Sequence, residues 1–184
     1  MDRRVRYTKN VIKETLISLL SEKKINKITV TEVCKIADIN RATFYRYYLD
    51  IYDLYDHMEQ EFLDELKEAT KVNHVDTVYT FSEEILDVLL RNKQLVKVLF
   101  SSNGNLNFLN EILEISYNKC ILKWTEDSIS VNEQSEYASV FIFNGALGVV
   151  NYWVKNDFDK EISEIAQTIQ QLSYYGIKKY IYGQ

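Results

Sequence analysis

Over the first seventy residues apolar side chains recur at helical spacing, and polar clusters interrupt them often enough to define four helices. Ile12, Leu16, Leu19 and Leu20 fall at i, i+4, i+7 and i+8, one stripe of a helix over residues 8–21. Arg3, Arg4 and Arg6 precede it as a basic arm. Thr29 followed by Glu32 has the pattern of a capping box, in which hydroxyl and carboxylate each take a backbone N–H left unpaired at a helix start. A helix therefore begins at Val30, with Val33, Ile36 and Ala37 on its apolar side. It stops at Asp38-Ile39-Asn40, where short polar side chains accept turn conformations and Asn40 caps the next helix. That third helix runs from Arg41 to about Tyr48 with Phe44 as its inward anchor. Asp50 caps a fourth, extending to about Lys71 with Leu54, Met58, Phe62 and Leu66 spaced by four.

Beyond a polar break at Val72 to Val78, Thr80-Phe81-Ser82-Glu83 repeats the capping-box pattern ahead of Ile85, Leu86, Leu89 and Leu90. A shorter helix carries Leu95, Val96, Leu99 and Phe100, and Ser101-Ser102-Asn103-Gly104-Asn105 reads as a loop. The seventh helix spans about Leu106 to Thr125 with Leu109, Ile112, Leu113, Ser116, Cys120 and Trp124 along one side. Ser130 and Glu133 mark the start of the eighth. Asp157 or Asp159 marks the start of the ninth, whose acidic first turn and closing Lys178 and Lys179 suit its dipole. Residues 137–154 contain no charge, a length sufficient for a membrane span. Ser139, Asn144 and Asn151 would need partners in lipid and the flanks are not basic, so the segment reads instead as a helix wedged between its own core and a second copy. Gly145 and Gly148 would permit close backbone approach there, and Ile162, Ile165, Ile169, Leu172 and Gly176 form the matching stripe of the last helix.

Proline is absent and only five glycines occur among 184 residues, so little supplies hairpin turns and the fold class is all-α, with about nine helices. Cys34 and Cys120 sit on apolar helical stretches without metal-ligand spacing and read as reduced core residues of a cytoplasmic protein. The charged N-terminus has no apolar run and reads as no signal peptide. Net charge is −5, but it is unevenly spread. Residues 1–50 hold 11 Lys/Arg against 6 Asp/Glu, and residues 51–184 hold 11 against 21. A basic head on an acidic body suits a protein that presents one end to phosphates.

The second and third helices, joined by a short turn, have the form of a helix-turn-helix. The candidate DNA contacts are Thr29 and Thr31 on the first, and Asn40, Arg41, Ala42, Thr43, Tyr45, Arg46 and Tyr47 on the reading helix, most of them donors to phosphates or base edges. This stretch resembles the TetR/AcrR family of bacterial transcriptional regulators. In that family a Thr-Val opening, an Ile-Ala pair, an Ala-Gly-Val-Ser turn and a Thr-Phe/Leu-Tyr recognition helix precede a Tyr/His-Phe pair, a Lys and a Leu. Thr29-Val30, Val33-Cys34, Ala37-Asp38-Ile39-Asn40, Thr43-Phe44-Tyr45, Tyr47-Tyr48 and Leu54 occupy those slots. Three positions depart: Asp38 replaces the turn Gly, Cys34 a small Ala, and Ile51 a phosphate-contacting Lys. Motif-level likeness covers residues 6–66.

The resemblance implies a DNA-binding head at 1–50, with the helix-turn-helix at about 30–48, a connecting helix at 51–71, and a ligand-binding and dimerisation domain at 72–184. It implies a homodimer held by the last two helices, through Phe141, Gly145, Gly148, Tyr152, Ile162, Ile165, Ile169 and Leu172. It further implies a palindromic double-stranded operator and a repressor released by a small-molecule effector, of unknown identity and pocket. The alternative is a coregulator of the same fold acting through a protein partner, to which the missing Lys at Ile51 gives support. No catalytic residue, cofactor, metal or membrane is expected. His57 has Asp53 and Glu61 at i−4 and i+4, but no second cluster completes a metal site, and no nucleophile motif or phosphate loop occurs.

Overall fold

The computed structural model describes residues 3–70, 78–101, 108, 110–118 and 133–182, with side chains at 136–173 of the last segment. These residues are helical and contain no strand, the all-α, TetR-like architecture expected. The helices are α1 (Arg3–Glu22), α2 (Val30–Ile36), α3 (Arg41–Tyr45), α4 (Ile51–Ala69), α5 (Val78–Arg91), α6 (Lys93–Leu99), α7 (described at 110–118), α8 (Glu133–Lys155) and α9 (Ile162–Tyr182). A 3-10 turn at Ile25–Lys27 follows α1. The chain divides into two compact units, residues 1–62 with 101–104, and residues 63–100 with 105–184. The division falls inside α4.

In the first unit α2 packs on both α1 and α3. Its core joins Ile12, Leu16, Val33, Phe44, Leu54 and Met58, all buried, so the stripes of α1 and α4 close over the inward residues of the helix-turn-helix. Four details differ from the sequence reading. α1 begins at Arg3 rather than near Thr8, so the arginines expected as an arm are its first turns; with no Pro or Gly nearby, and arginine a good helix former, nothing stops the helix earlier. α3 ends at Tyr45, three residues short of expectation, and continues as a turn through which Phe44 O accepts from the Tyr47 and Tyr48 amides at 2.9 and 3.0 Å. Ile36, expected on the apolar side of α2, is 57% exposed because it lies at the helix end, beyond the reach of its neighbours. Half of the expected capping box forms: Thr29 Oγ1 accepts from Glu32 N at 3.2 Å, while the Glu32 carboxylate pairs with Lys23 Nζ at 2.5 Å.

In the second unit α9 packs against both α5 and α8, and α6 against α5 and α8. Leu86, Val88, Leu89, Val96, Leu99, Trp153 and Ala166 are buried in it. α5 starts at Val78, so Thr80 lies within the helix and not at its start; Ser82 Oγ donates back to Val78 O at 2.8 Å. The rest of the expected break, the 101–105 loop from Ser102 onward, and Leu109, Cys120, Trp124 and Ser130 of the seventh and eighth helix readings lie outside the described residues. α9 begins at Ile162, later than either aspartate marked for its start. Asp157 closes α8 instead. It lies at φ 61° as the left-handed residue of a Schellman motif, in which Phe158 N reaches Trp153 O at 2.9 Å and Asp157 N reaches Val154 O at 3.1 Å. The Trp153 and Phe158 rings pack edge to face at 4.8 Å, the apolar contact that accompanies such an ending.

Candidate nucleic-acid interface

The site is made by two helix caps and one left-handed turn. Thr29 sets where α2 starts, and Asn40 Oδ1 accepts from Ala42 N at 2.9 Å to set where α3 starts. Between them α2 ends as α8 does. Asp38 lies at φ 50°, and Ile39 N reaches Cys34 O at 3.0 Å. Aspartate is one of the few residues other than glycine that visits this region readily, so Asp38 fills the place of the family's turn Gly without changing the geometry.

Phe44 is fully buried and anchors α3, its ring against Tyr45 and Tyr48 at 5.7 Å each. The opposite side of α3 is open. Thr29, Thr31, Asn40, Arg41, Ala42, Tyr45 and Arg46 are exposed, and Thr43 and Tyr47 half-buried, so none of the nine residues singled out from the sequence is buried. Arg41 Nη2 lies 3.4 Å from the Tyr45 hydroxyl, with its guanidinium 5.9 Å from that ring, and the pair forms a donor cluster one turn long. Cys34 lies buried behind it. Burial pushes its thiol above the ordinary value, against the pull of the Arg41 charge, so the thiol stays protonated.

Two features of this surface are absent from the sequence reading. Lys9 places its ammonium 5.6 Å from the Tyr47 ring and 5.9 Å from that of Tyr48, adding a cation from α1 beside the end of α3. A helix starting at Thr8 would have hidden it in a frayed first turn. Leu49 and Tyr52 are also exposed at the start of α4, which Asp50 caps by accepting from Asp53 N at 2.9 Å. Ile51, in the slot of the family's Lys, is 4% exposed and packs inward, so that position offers nothing to a phosphate. His57 Nδ1 bonds the Asp53 carbonyl at 2.7 Å, and among the described residues no group of His, Cys, Asp and Glu is placed to hold a metal.

Of the residues expected on a dimer face, Phe141, Gly145, Gly148 and Tyr152 lie on the exposed side of α8, and Leu172 is exposed on α9. Ile162 is half-buried. Ile165 and Ile169 are buried within their own unit, at 9% and 7% exposure.

An all-α chain with an exposed, donor-bearing helix on a capped helix-turn-helix defines the class of helix-turn-helix regulators. The comparisons narrow it. The family model TetR_C_8, described as a transcriptional regulator C-terminal region, matches residues 76–175. This chain belongs to the TetR family of transcriptional regulators. No curated protein matches it by sequence. Among solved structures it is similar to a TetR transcriptional regulator from Streptococcus agalactiae (TM-score 0.65, 20% identity, covering 94% of this chain and 96% of that one). It is also similar to the fatty acid degradation regulator FadR from Bacillus halodurans (0.64, 17%, 90% and 94%). The dihydroxyacetone kinase operon activator DhaS is a further likeness (0.60, 18%, 94% and 97%). At these identities the likeness is one of fold.

Proposed function

We propose that the protein is a cytoplasmic, homodimeric repressor that reads a palindromic operator with two copies of α3 in successive major grooves, and that a small molecule bound by the second unit lowers its DNA affinity. The carrying observation is the surface of α3: Arg41, Tyr45 and Arg46 exposed together on a helix whose other side is pinned by Phe44. Arg41, at the start of the helix, is the base reader. Tyr45 and Thr43 are assigned to phosphates, and Lys9 adds to the positive rim. Dimerisation is assigned to the outer sides of α8 and α9, through Phe141, Gly145, Gly148, Tyr152 and Leu172. Ile165 and Ile169 support that face from behind.

A second reading is favoured by one observation. Ile51 is buried where the family has a phosphate-contacting Lys, as expected of a coregulator that keeps the fold and acts through a protein partner. A salt titration on duplexes from the protein's own upstream region separates the two. The DNA-binding reading requires log K to fall with log[salt] at a slope of about −0.9 per phosphate neutralised. Failure to retain any duplex at low salt would favour the coregulator.

A further inference from the structure

Lys9 lies one turn before Lys13 on α1, on the side of the helix that carries Ile12 and Leu16 into the core. Arg3, Arg4 and Arg6 are exposed, whereas Lys9 is half-buried, so its stem runs along the unit instead of out into water. Its ammonium ends 5.6 Å from the Tyr47 ring and 5.9 Å from that of Tyr48, near enough for each ring to attract the charge. Those rings are themselves held. Tyr48 is buried, with its ring 5.7 Å from Phe44 and 5.6 Å from His57, and the Tyr47 ring lies 6.4 Å from it. The charge is therefore fixed beside the end of α3 before anything binds. Nearby lysines are spent inside the unit: Lys13 pairs with Glu61, and Lys23 just past α1 pairs with Glu32. Among the described residues no carboxylate pairs with Lys9.

The start of α4 offers a phosphate the reverse. Ile51 is buried there, and two carboxylates stand among the first amides. Asp50 Oδ1 accepts from Asp53 N at 2.9 Å, and Asp53 Oδ2 accepts from Leu49 N at 2.8 Å. Both amides are satisfied within the chain, and the two negative charges would repel a phosphate brought to them. Lys9 instead sets an unpaired positive charge next to Tyr47, one of the candidate contacts at the end of α3. We propose that Lys9 holds the phosphate flanking the end of α3, making from α1 a contact that buried Ile51 and the two carboxylates deny to α4. Tyr47 and Tyr48 are its positioning residues, since their rings set where the ammonium stands. This rests on the DNA-binding reading and deepens it by naming the residue that takes this phosphate. It also removes the observation that favours the coregulator, because a neutral residue at 51 then costs the head no cation.

Salt titrations of the wild-type, Lys9→Gln and Lys9→Arg chains on a duplex from the protein's own upstream region test the assignment. Each of two heads loses one phosphate in Lys9→Gln, so its slope of log K against log[salt] should be shallower by about 1.8, twice the 0.9 per phosphate. Lys9→Arg should keep the wild-type slope, and base preference should be the same in all three. Hydrogen-exchange protection of the Phe44 and Tyr48 amides should be unchanged in Lys9→Gln; its loss would make Lys9 a structural residue and overturn the assignment. A phosphate scan separates contact from screening. Among duplexes carrying one neutral methylphosphonate each, one is expected to weaken the wild-type chain and leave Lys9→Gln unaffected. An unchanged slope, a shifted base preference, or a Lys9→Gln chain sensitive at every phosphate to which the wild type is sensitive overturns the assignment and keeps the DNA-binding reading. In the last case Lys9 acts only by offsetting Asp50 and Asp53. A wild-type chain that retains no duplex at low salt overturns both.

Discussion

Asp38 is the residue whose replacement most directly tests how the reading helix is held. It is exposed, sits at φ 50°, and makes the left-handed step between α2 and α3 that lets Ile39 N reach Cys34 O. Holding an ordinary L-residue in that region costs about 1–2 kcal/mol. Glycine avoids the cost but gives up about 0.5–1 kcal/mol through the freedom it gains in the unfolded chain. The difference places Asp38→Gly above Asp38→Ala by about 1 kcal/mol, with β-branched Asp38→Val lower still. Aspartate falls between glycine and alanine, since its carboxylate can bond nearby backbone. Tryptophan fluorescence would miss the effect, because Trp124 and Trp153 both lie beyond the first unit. Native-state hydrogen exchange at the Phe44 and Tyr48 amides reads it directly, since their bonds to Asn40 O (3.2 Å) and Phe44 O (3.0 Å) depend on α3 being formed. A 1 kcal/mol difference is about fivefold in protection. Equal protection in the alanine and glycine variants would refute the claim that the left-handed step, and not the caps alone, sets the angle of α3.

Arg41→Ala should cost about 1–3 kcal/mol in operator affinity and relax preference at one base position, measured on a panel of single-base operator variants. Tyr45→Phe should weaken binding to all sequences alike; a changed base preference would mean that the Tyr45 hydroxyl, 3.4 Å from Arg41, works by aiming the guanidinium. Tyr48 is buried in the slot of the family's Phe, and its hydroxyl has no hydrogen-bond partner among the described residues, so Tyr48→Phe should stabilise the first unit by about 1 kcal/mol in the same exchange experiment. Burial, aided by the charges of Glu61 and Asp53, pushes the Tyr48 phenol up to about 12 from 10.0. The folded unit therefore resists its ionisation, and stability present below pH 10 should be lost as pH rises toward 12, less so in Tyr48→Phe. The bond from Lys97 holds the Asp157 carboxyl below its ordinary range. Its contribution is present above that range and lost as pH falls through the lowered value, so Lys97→Met should flatten the acid limb of a Trp153 fluorescence melt.

Signals that act over three or four residues were legible in the sequence. Thr29, Asn40 and Asp50 each cap where expected, and the Leu54, Met58, Phe62, Leu66 spacing gave the buried side of α4, because a cap or a stripe is complete within one or two turns. Signals that depend on what lies across the chain were not. Nothing in Arg3-Arg4-Val5-Arg6 distinguishes an arm from a helix, and a chain without proline marks few of its ends. Asp157 was ambiguous in a more specific way. The short carboxylate that makes aspartate a good N-cap also lets it stand in the left-handed region, and only the Trp153 to Phe158 contact decides between beginning α9 and ending α8. The candidate contacts follow from the pattern of two short capped helices, while Lys9 escaped because its place depends on how far α1 extends. The stripe of α9 was found as a stripe. Periodicity says which side of a helix is apolar but not what covers it, and Ile165 and Ile169 are covered by their own unit while Leu172 is not.

The two proposed surfaces, α3 on DNA and α8 on a second copy, are linked by mass action, and the linkage gives a consequence that neither surface has alone. A palindrome is bound tightly because the second half-site is met at high effective concentration once the first is held. That gain requires the dimer to exist. Weakening the α8 pairing tenfold at Gly148 should therefore leave operator affinity unchanged where the free protein is still dimeric. Below the dimer dissociation constant the same change should raise the protein concentration needed for half-occupancy about threefold, the square root of ten, since assembly then draws on the free energy of binding DNA. Reciprocally, operator DNA should tighten the dimer of Gly148→Leu by the same factor that the dimer tightens DNA. Binding isotherms taken at protein concentrations on both sides of the dimer constant measure the two factors independently. A loss of affinity in Gly148→Leu that does not depend on protein concentration would refute the linkage and place the effect of the substitution inside the protomer.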